Sequence, residues 1–167
     1  RDVAEFDFSQ VCLAFFAAGE AVSRSFAVRA SQAGCAGIDL SGALDDAQPL
    51  VPEANAGLLG ELAPPYRLCS PSASAFALAC ALAPLVSLGI ERVTVTACLA
   101  VSSRGREGVT ELARQTAELL NARPLEPRFF DRQVAFNILA QPDAVDEAGH
   151  AQLEKRLARE LKALLAA

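Results

Sequence analysis

The pattern of apolar and polar side chains over the first 40 positions predicts a strand, a helix and a second strand, in that order. Residues 11–16 form a short continuous apolar run, which is typical of a fully buried strand in a parallel sheet. Residues 21–33 carry apolar side chains at helical spacing, and Gly34 stops that pattern. A second short strand is predicted over residues 37–40. This order predicts a βαβ unit with a right-handed crossover.

The middle of the chain is first irregular and then strongly patterned. Residues 41–65 are rich in Gly, Pro, Asp and Ala, so we expect a domain connection there. Residues 73–88 are apolar on nearly every face, which predicts a buried helix that ends at Gly89. Residues 92–102 alternate between two faces with a period of two, which predicts a long strand.

The last third of the chain predicts two amphipathic helices and a weaker strand. Residues 109–120 have helical spacing, and Asn121 closes that helix. The weaker strand is predicted over residues 133–140. A leucine stripe over residues 151–165 lies opposite a charged face, and packing on a sheet is favoured over a partner interface. The chain is therefore predicted to be an α/β protein.

Composition excludes several classes of partner. The 167 residues are 52% apolar and 21% charged, which is typical of a globular protein. A net charge of -5 argues against nucleic acid and against an anionic membrane. The longest apolar run, residues 75–86, is too short to cross a bilayer. With no Met and no recognisable signal peptide, the chain is expected to be a piece of a longer protein.

The cysteines favour a reducing compartment. There are five cysteines, none of them in a C-x-x-C pair: Cys12, Cys35, Cys69, Cys80 and Cys98. Four of the five stand in apolar surroundings. We expect buried, reduced thiols in a cytoplasmic protein rather than disulfides or metal ligands. His150 is the only histidine, so the sequence offers little choice of general base and no His-rich metal site.

Candidate chemistry is sparse. The turn Ala17-Ala18-Gly19 follows a predicted strand and precedes a helix, so its amides could face a dinucleotide, although Gly at such turns is often only steric. Cys69 precedes the apolar helix by several residues, and a small buried side chain is its favoured role. Ser72 and Ser74 are favoured as helix caps rather than nucleophiles.

Acidic clusters do not add a catalytic set. Asp45 with Asp46, and Asp143 with Asp146 and Glu147, stand in turn-like sequence. Solvated loop charges are the favoured interpretation of both groups.

Several short segments match a known family in order and spacing. They are residues 49–55 (PLVPEAN), 105–109 (GREGV), 111–112 (EL), 115–116 (QT), 120–121 (LN) and 135–138 (AFNI). From about Phe8 to the final helix, the sequence resembles aspartate-semialdehyde dehydrogenase. The resemblance implies the C-terminal part of a Rossmann-type NAD(P)-binding domain over residues 1–60. It implies part of a glyceraldehyde-3-phosphate-dehydrogenase-like α+β dimerisation domain over residues 61–167.

The resemblance also implies that functional positions have changed. The family reduces β-aspartyl phosphate with NADPH through a cysteine thioester, and the position of that cysteine is Ala73 here. The glutamine that orients the acyl intermediate corresponds to Leu99. The arginine that binds the substrate phosphate corresponds to Asp45, which reverses the charge. The family's glycine-rich loop would lie before Arg1, and its general-base histidine after Ala167.

One cofactor-contacting turn is retained under the same resemblance. Ala17, Ala18 and Gly19 match the family's second cofactor loop, which implies that the full-length protein binds NADP, with no metal. The Usg-type paralogues, which lack the catalytic cysteine, are the nearest match. We therefore expect a catalytically inactive homodimer. An oxidoreductase acting on a related aldehyde or acyl phosphate, with Cys69 as the nearby thiol, and a purely structural scaffold stay open.

Overall fold

The computed structural model describes residues 2–140 and 144–165, and it divides the chain into two compact units. The first unit comprises Arg1–Val93 and Lys155–Ala167. The second comprises Thr94–Glu154.

A parallel four-stranded sheet is the centre of the first unit. Its strands are β1 (Leu13–Phe16), β2 (Ala36–Asp39), β3 (Gln48–Pro49) and β4 (Arg67–Cys69), in the spatial order β1-β2-β4-β3. Phe16 pairs with Asp39, and Asp39 pairs with Cys69, so these three strands end at the same edge. The sheet gains β3 and β4 from a region that the sequence analysis treated as a connection or left unassigned.

Five α-helices occur among the described residues. They are α1 (Glu20–Gln32), α2 (Pro52–Asn55), α3 (Ala73–Leu82), α4 (Gly105–Leu120) and α5 (Gln152–Leu165). The predicted βαβ unit is confirmed, since β1 and β2 are parallel and α1 connects them. The predictions of α4 and α5 are confirmed within a few residues at each end.

Two predictions of buried elements went further than the structure: the burial of β1 and the length of the apolar helix. In β1 only Phe16 is buried and Phe15 is 62% exposed, because only the face of the strand that carries Ala14 and Phe16 packs against the apolar cluster with α1. The apolar helix predicted over residues 73–88 ends at Leu82 and continues as a 3-10 helix, Ala83–Leu88, whose second residue is Pro84. Proline lacks the N–H that an α-helix would need there.

The strand predicted over residues 92–102 was wrong for the described chain, as was the one over 133–140. Residues 91–100 make no ladder with any described segment, and Val101–Arg104 forms a 3-10 helix. Residues 135–136 form a turn instead of a strand. Period-two alternation suits a half-buried strand only when a neighbouring strand accepts its hydrogen bonds.

Two apolar clusters stabilise the first unit. One gathers Phe8, Phe16, Ala27, Ala30 and Cys35 between the sheet and α1. The other joins α3 to α5 through Val51, Ala75, Ala79 and Leu164. The first cluster fixes α1 onto the sheet, and the second fixes α5 onto α3, which lies far from it in the chain.

The thiols are less buried than predicted. Cys35 is buried, Cys69 and Cys80 are partly buried, and Cys12 and Cys98 are exposed, and all five are free. Within residues 2–140 and 144–165, no helix has the length and apolar character needed to span a bilayer.

Candidate functional site at the carboxyl edge of the sheet

Loops that follow β1, β2 and β4 meet the same edge of the parallel sheet. They comprise residues 17–19, 41–46 and 70–72. In open α/β sheets, ligands bind outside the carboxyl ends of the strands, so this edge is the candidate site.

The turn after β1 enters α1 through a glycine with a positive φ. Gly19 has φ +98°, which favours glycine, and it precedes α1 without any side-chain cap on the first amides. A Cβ at Gly19 would meet no atom within 4 Å, so the space beside it is open. Ala17 and Ala18 are exposed and present only methyl groups. The turn therefore fits the close approach of a dinucleotide phosphate, although the Glu20 carboxylate follows directly.

Asp39 organises the loop after β2. Its side chain is fully buried and accepts hydrogen bonds from the Ser41 N–H (2.9 Å), the Ser41 hydroxyl (2.6 Å) and the Ala43 N–H (3.0 Å). Burial raises the pKa of this carboxyl, but the hydrogen bonds outweigh it and hold the pKa below its usual range. Asp39 is thus an anionic anchor for the loop, a role that its sequence position did not reveal.

The N-terminus of α3 is capped twice. The Ser72 hydroxyl accepts from the Ala75 N–H (3.4 Å), which confirms the predicted cap. The Ser72 N–H and hydroxyl donate to Glu160 Oε2 at 3.0 and 2.6 Å. Ala73 is the first residue of α3, and it brings only a methyl group to this position.

The carboxylate of Glu160 comes from α5 and is buried. Arg156 Nε donates to Glu160 Oε1 at 2.7 Å. The guanidinium of Arg156 lies against Gly42, where a Cβ would overlap it. Glu160 and Arg156 together connect the loop after β2 with the start of α3. Their i, i+4 spacing on one helix is the only sequence signal that pointed to this pair.

Asp45 and Asp46 are solvent-exposed and also form ion pairs. Asp45 accepts from Arg159 of α5 at 2.8 Å, and Asp46 pairs with Arg67 of β4. Since the Asp45 side chain is 71% exposed and that of Asp46 is 59% exposed, the prediction of solvated loop charges is confirmed for both residues, and the ion pairs are an addition to it. Arg159 of α5 therefore brings a positive charge next to Asp45, the position at which the family has its phosphate-binding arginine under the resemblance.

Cys69 lies close to this edge but is held as a thiol. Burial, together with the negative charges of Glu160 and Asp39, raises its pKa to about 11, although Arg156 and Arg159 act in the opposite direction. Its sulfur donates to the Ala47 carbonyl at 3.5 Å. At neutral pH such a group is a poor nucleophile.

The remaining sequence candidates do not join this site. Leu99 belongs to the second unit and has an exposed side chain without hydrogen-bonding atoms. The His150 N–H donates to Asp146, which closes a turn. Asp143 lies outside the described residues. In the part of the chain that the structure describes, no group of three or more His, Cys, Asp or Glu residues could hold a metal ion.

Comparison with known proteins finds family matches in both halves of the chain. Residues 1–61 match the model of the semialdehyde dehydrogenase NAD binding domain. Residues 82–164 match that of the semialdehyde dehydrogenase dimerisation domain. The chain belongs to the semialdehyde dehydrogenase family. The parallel sheet is part of that family's α/β architecture, so the predicted family and fold class are confirmed.

Individual relatives are similar to nearly the whole of this chain. The chain is 59% identical to a USG-1 protein homolog of Pseudomonas aeruginosa, over 98% of this chain and 50% of that protein. A solved structure described as a probable aspartate-semialdehyde dehydrogenase from Pseudomonas aeruginosa is 57% identical, with a TM-score of 0.88 over 98% of this chain and 50% of that one.

A more distant structure gives the same fold. Aspartate semialdehyde dehydrogenase II from Vibrio cholerae is 36% identical, with a TM-score of 0.90 over 99% of this chain and 51% of that one. The chain thus spans about half the length of the relatives it matches.

Proposed function

We propose that the protein is an aspartate-semialdehyde-dehydrogenase-like homodimer that binds NAD(P) and does not catalyse the family's thioester chemistry. The observation that carries the proposal is the start of α3, where Ala73 stands at the position that the resemblance assigns to the nucleophile. A methyl group has no lone pair with which to attack an acyl phosphate. Loss of a nucleophile typically lowers turnover by several orders of magnitude.

The surroundings of Ala73 support the same conclusion. The adjacent Ser72 N–H and hydroxyl are already engaged by Glu160, which leaves a carboxylate where an anionic acyl group would need to approach. Asp45 and Leu99 stand at the positions that the resemblance assigns to the phosphate-binding arginine and the acyl-orienting glutamine. Neither side chain can donate a charged or amide hydrogen bond to the substrate.

Cofactor binding is proposed for the turn after β1. Ala17, Ala18 and Gly19 would hold the dinucleotide phosphates through main-chain N–H groups. When bound, the nicotinamide supplies hydride transfer. The match to the NAD binding domain supports this role, and the five free thiols support the reducing cytoplasm as the compartment.

The decisive experiment is an activity assay on the full-length protein. L-aspartate semialdehyde, phosphate and NADP are mixed with it, and NADPH absorbance is followed beside aspartate-semialdehyde dehydrogenase as the positive control. We expect no turnover, while NADP still raises the melting temperature. Turnover would disprove the inactive protein, and identical melting curves with and without NADP would disprove the cofactor site.

The alternative is an oxidoreductase that uses Cys69 on a related aldehyde or acyl phosphate. Its support is the short chain distance from Cys69 to α3, and the raised pKa of the thiol opposes it. If turnover is found, Cys69→Ser separates the two mechanisms. A Cys69-dependent enzyme would lose activity, whereas direct hydride transfer would survive the substitution.

A further inference from the structure

Two apolar side chains of the second unit are almost fully in solvent. Phe136 is 74% exposed and Ile138 is 84% exposed, although Val134 and Ala135 directly before them are buried. Phe136 and Ile138 are called the exposed pair below. None of the acid, base or nucleotide positions discussed above involves them.

The backbone of Phe136 lies in the left-handed region, with φ +57°. A bulky side chain rarely adopts this conformation, because its Cβ crowds the neighbouring carbonyl oxygen. Glycine or asparagine would meet the same backbone at a lower conformational cost. Such strain persists only where the surrounding structure enforces it, and it concentrates at functional contacts.

Buried polar contacts with α4 enforce this backbone. The side-chain oxygen of Gln115, which is fully buried, accepts from the Val134 N–H (2.8 Å) and the Ala135 N–H (3.2 Å). The Gln115 amide donates to Glu111 at 2.7 Å, which fixes its orientation. The Asn137 N–H donates to the Val134 carbonyl at 3.2 Å. The turn therefore displays the Phe136 ring from a preorganised support.

We propose that the exposed pair contacts a second copy of this chain and anchors the dimer interface. This inference rests on the homodimer of the proposed function and names the surface that would form it. The exposed pair lies within residues 82–164, which match a dimerisation domain. Isologous contacts place the same patch of each subunit against its copy, and a rigid aromatic anchor suits the centre of such a patch.

Charge near the exposed pair is compatible with a second identical surface. Asp131 and Arg132, the charged residues that precede it most closely, pair with each other, with Arg132 Nε donating to Asp131 at 2.9 Å. Since each copy neutralises its own charges there, two copies would not face like charges at this point.

The test uses the full-length protein and measures its dimer dissociation constant by sedimentation. The variants are Phe136→Asn, which removes the ring and suits the left-handed backbone, and Ile138→Thr, which keeps a β-branched shape. Each is expected to raise the dissociation constant about ten-fold or more. Leu120→Gln, at a residue that is also 74% exposed but lies at the end of α4, is the control and is expected to leave it within about two-fold.

The outcomes separate this inference from the homodimer itself. A wild-type dimer that both variants leave unchanged would overturn the interface but not the dimer. A Phe136→Asn protein that stays dimeric and melts at a lower temperature would also overturn it, because the ring would then be covered by its own chain. A wild-type protein that is monomeric throughout would remove the homodimer and this inference together.

Discussion

Buried carboxylates order the loops at the residue scale. Asp39, Glu111 and Glu160 are the buried acidic residues among the described positions, and each accepts main-chain N–H groups from a segment outside its own element. The free-energy cost of burying an ionised carboxylate is offset when several hydrogen-bond donors point at it. In the sequence, Glu111 stood out only as part of the 111–112 segment of the family resemblance, because its contacts with Arg128 and Gln115 become evident only in three dimensions.

Glu111 is expected to make stability depend on acid pH. Burial raises its pKa, but the Arg128 N–H, Arg114 and Gln115 donate to the carboxylate and bring the pKa from 4.5 to about 2. A lowered folded-state pKa means that the stabilisation is complete above about 4.5 and is lost as pH falls towards 2. The free energy of unfolding, measured by urea denaturation, should therefore fall between pH 4.5 and about 2 in the wild type, and this fall should be absent in Glu111→Gln.

The matched control for that experiment is Glu107→Gln, on the same helix but exposed in its first turn. It should change the free energy of unfolding by no more than about 0.5 kcal/mol and keep the acid loss. Equal pH profiles for the wild type and Glu111→Gln would contradict the assignment.

At the element scale, α5 secures the candidate site. Its leucines pack on α3 as the stripe predicts, since Leu164 is buried with Ala75 and Ala79. Its polar contacts were not predictable in the same way. Arg156 was predicted to lie on the charged face opposite the leucine stripe, yet its guanidinium lies against Gly42. Glu160 was not singled out by the stripe, yet it is buried. A period of 3.6 locates the apolar face of a helix, but not the loops that its flanks meet.

Gly42→Ala is expected to weaken the attachment of α5. Gly42 has φ +71°, and a Cβ would force the Arg156 guanidinium away from Glu160. The left-handed backbone alone costs about 1–2 kcal/mol for a residue with a Cβ. The urea midpoint should fall accordingly.

Gly57→Ala supplies the comparison for Gly42→Ala. A Cβ at Gly57 meets no atom within 4 Å, and its φ is not positive. Its midpoint should stay close to that of the wild type. If the two alanine variants had the same urea midpoint, the contact between Gly42 and Arg156 would not contribute to stability.

At the scale of the whole molecule, the family and the α/β class could be predicted from short ordered segments, whereas the two strands predicted for the second half do not form in the described chain. Residues 92–102 have the alternation of a strand, but a strand is defined by the ladder it shares with a neighbour. The described chain supplies no such neighbour for them. The parallel sheet was easier to predict in part, because its βαβ unit is local in sequence.

Dinucleotide binding should respond to the charge beside the Gly19 turn. Glu20 stands in the first turn of α1, where its carboxylate would oppose a phosphate. Glu20→Gln is therefore expected to strengthen NADP binding a few-fold and to enlarge the thermal shift at a fixed NADP concentration.

Glu53→Gln, which removes an acidic residue from the first turn of α2, should leave the NADP-dependent shift as it is. A shift that does not grow in Glu20→Gln would place the phosphates elsewhere.

The contacts of α5 also set the order in which a growing chain can be completed. Arg159 pairs with Asp45 across 114 positions, and Glu160 reaches Ser72 across 88. At about 5–20 residues per second, a ribosome needs roughly 6–23 s to travel from Asp45 to Arg159. During that interval the loop after β2 and the first amides of α3 are without their partners. Until α5 emerges, these two segments of the nascent chain are therefore more open to proteases and to wrong association.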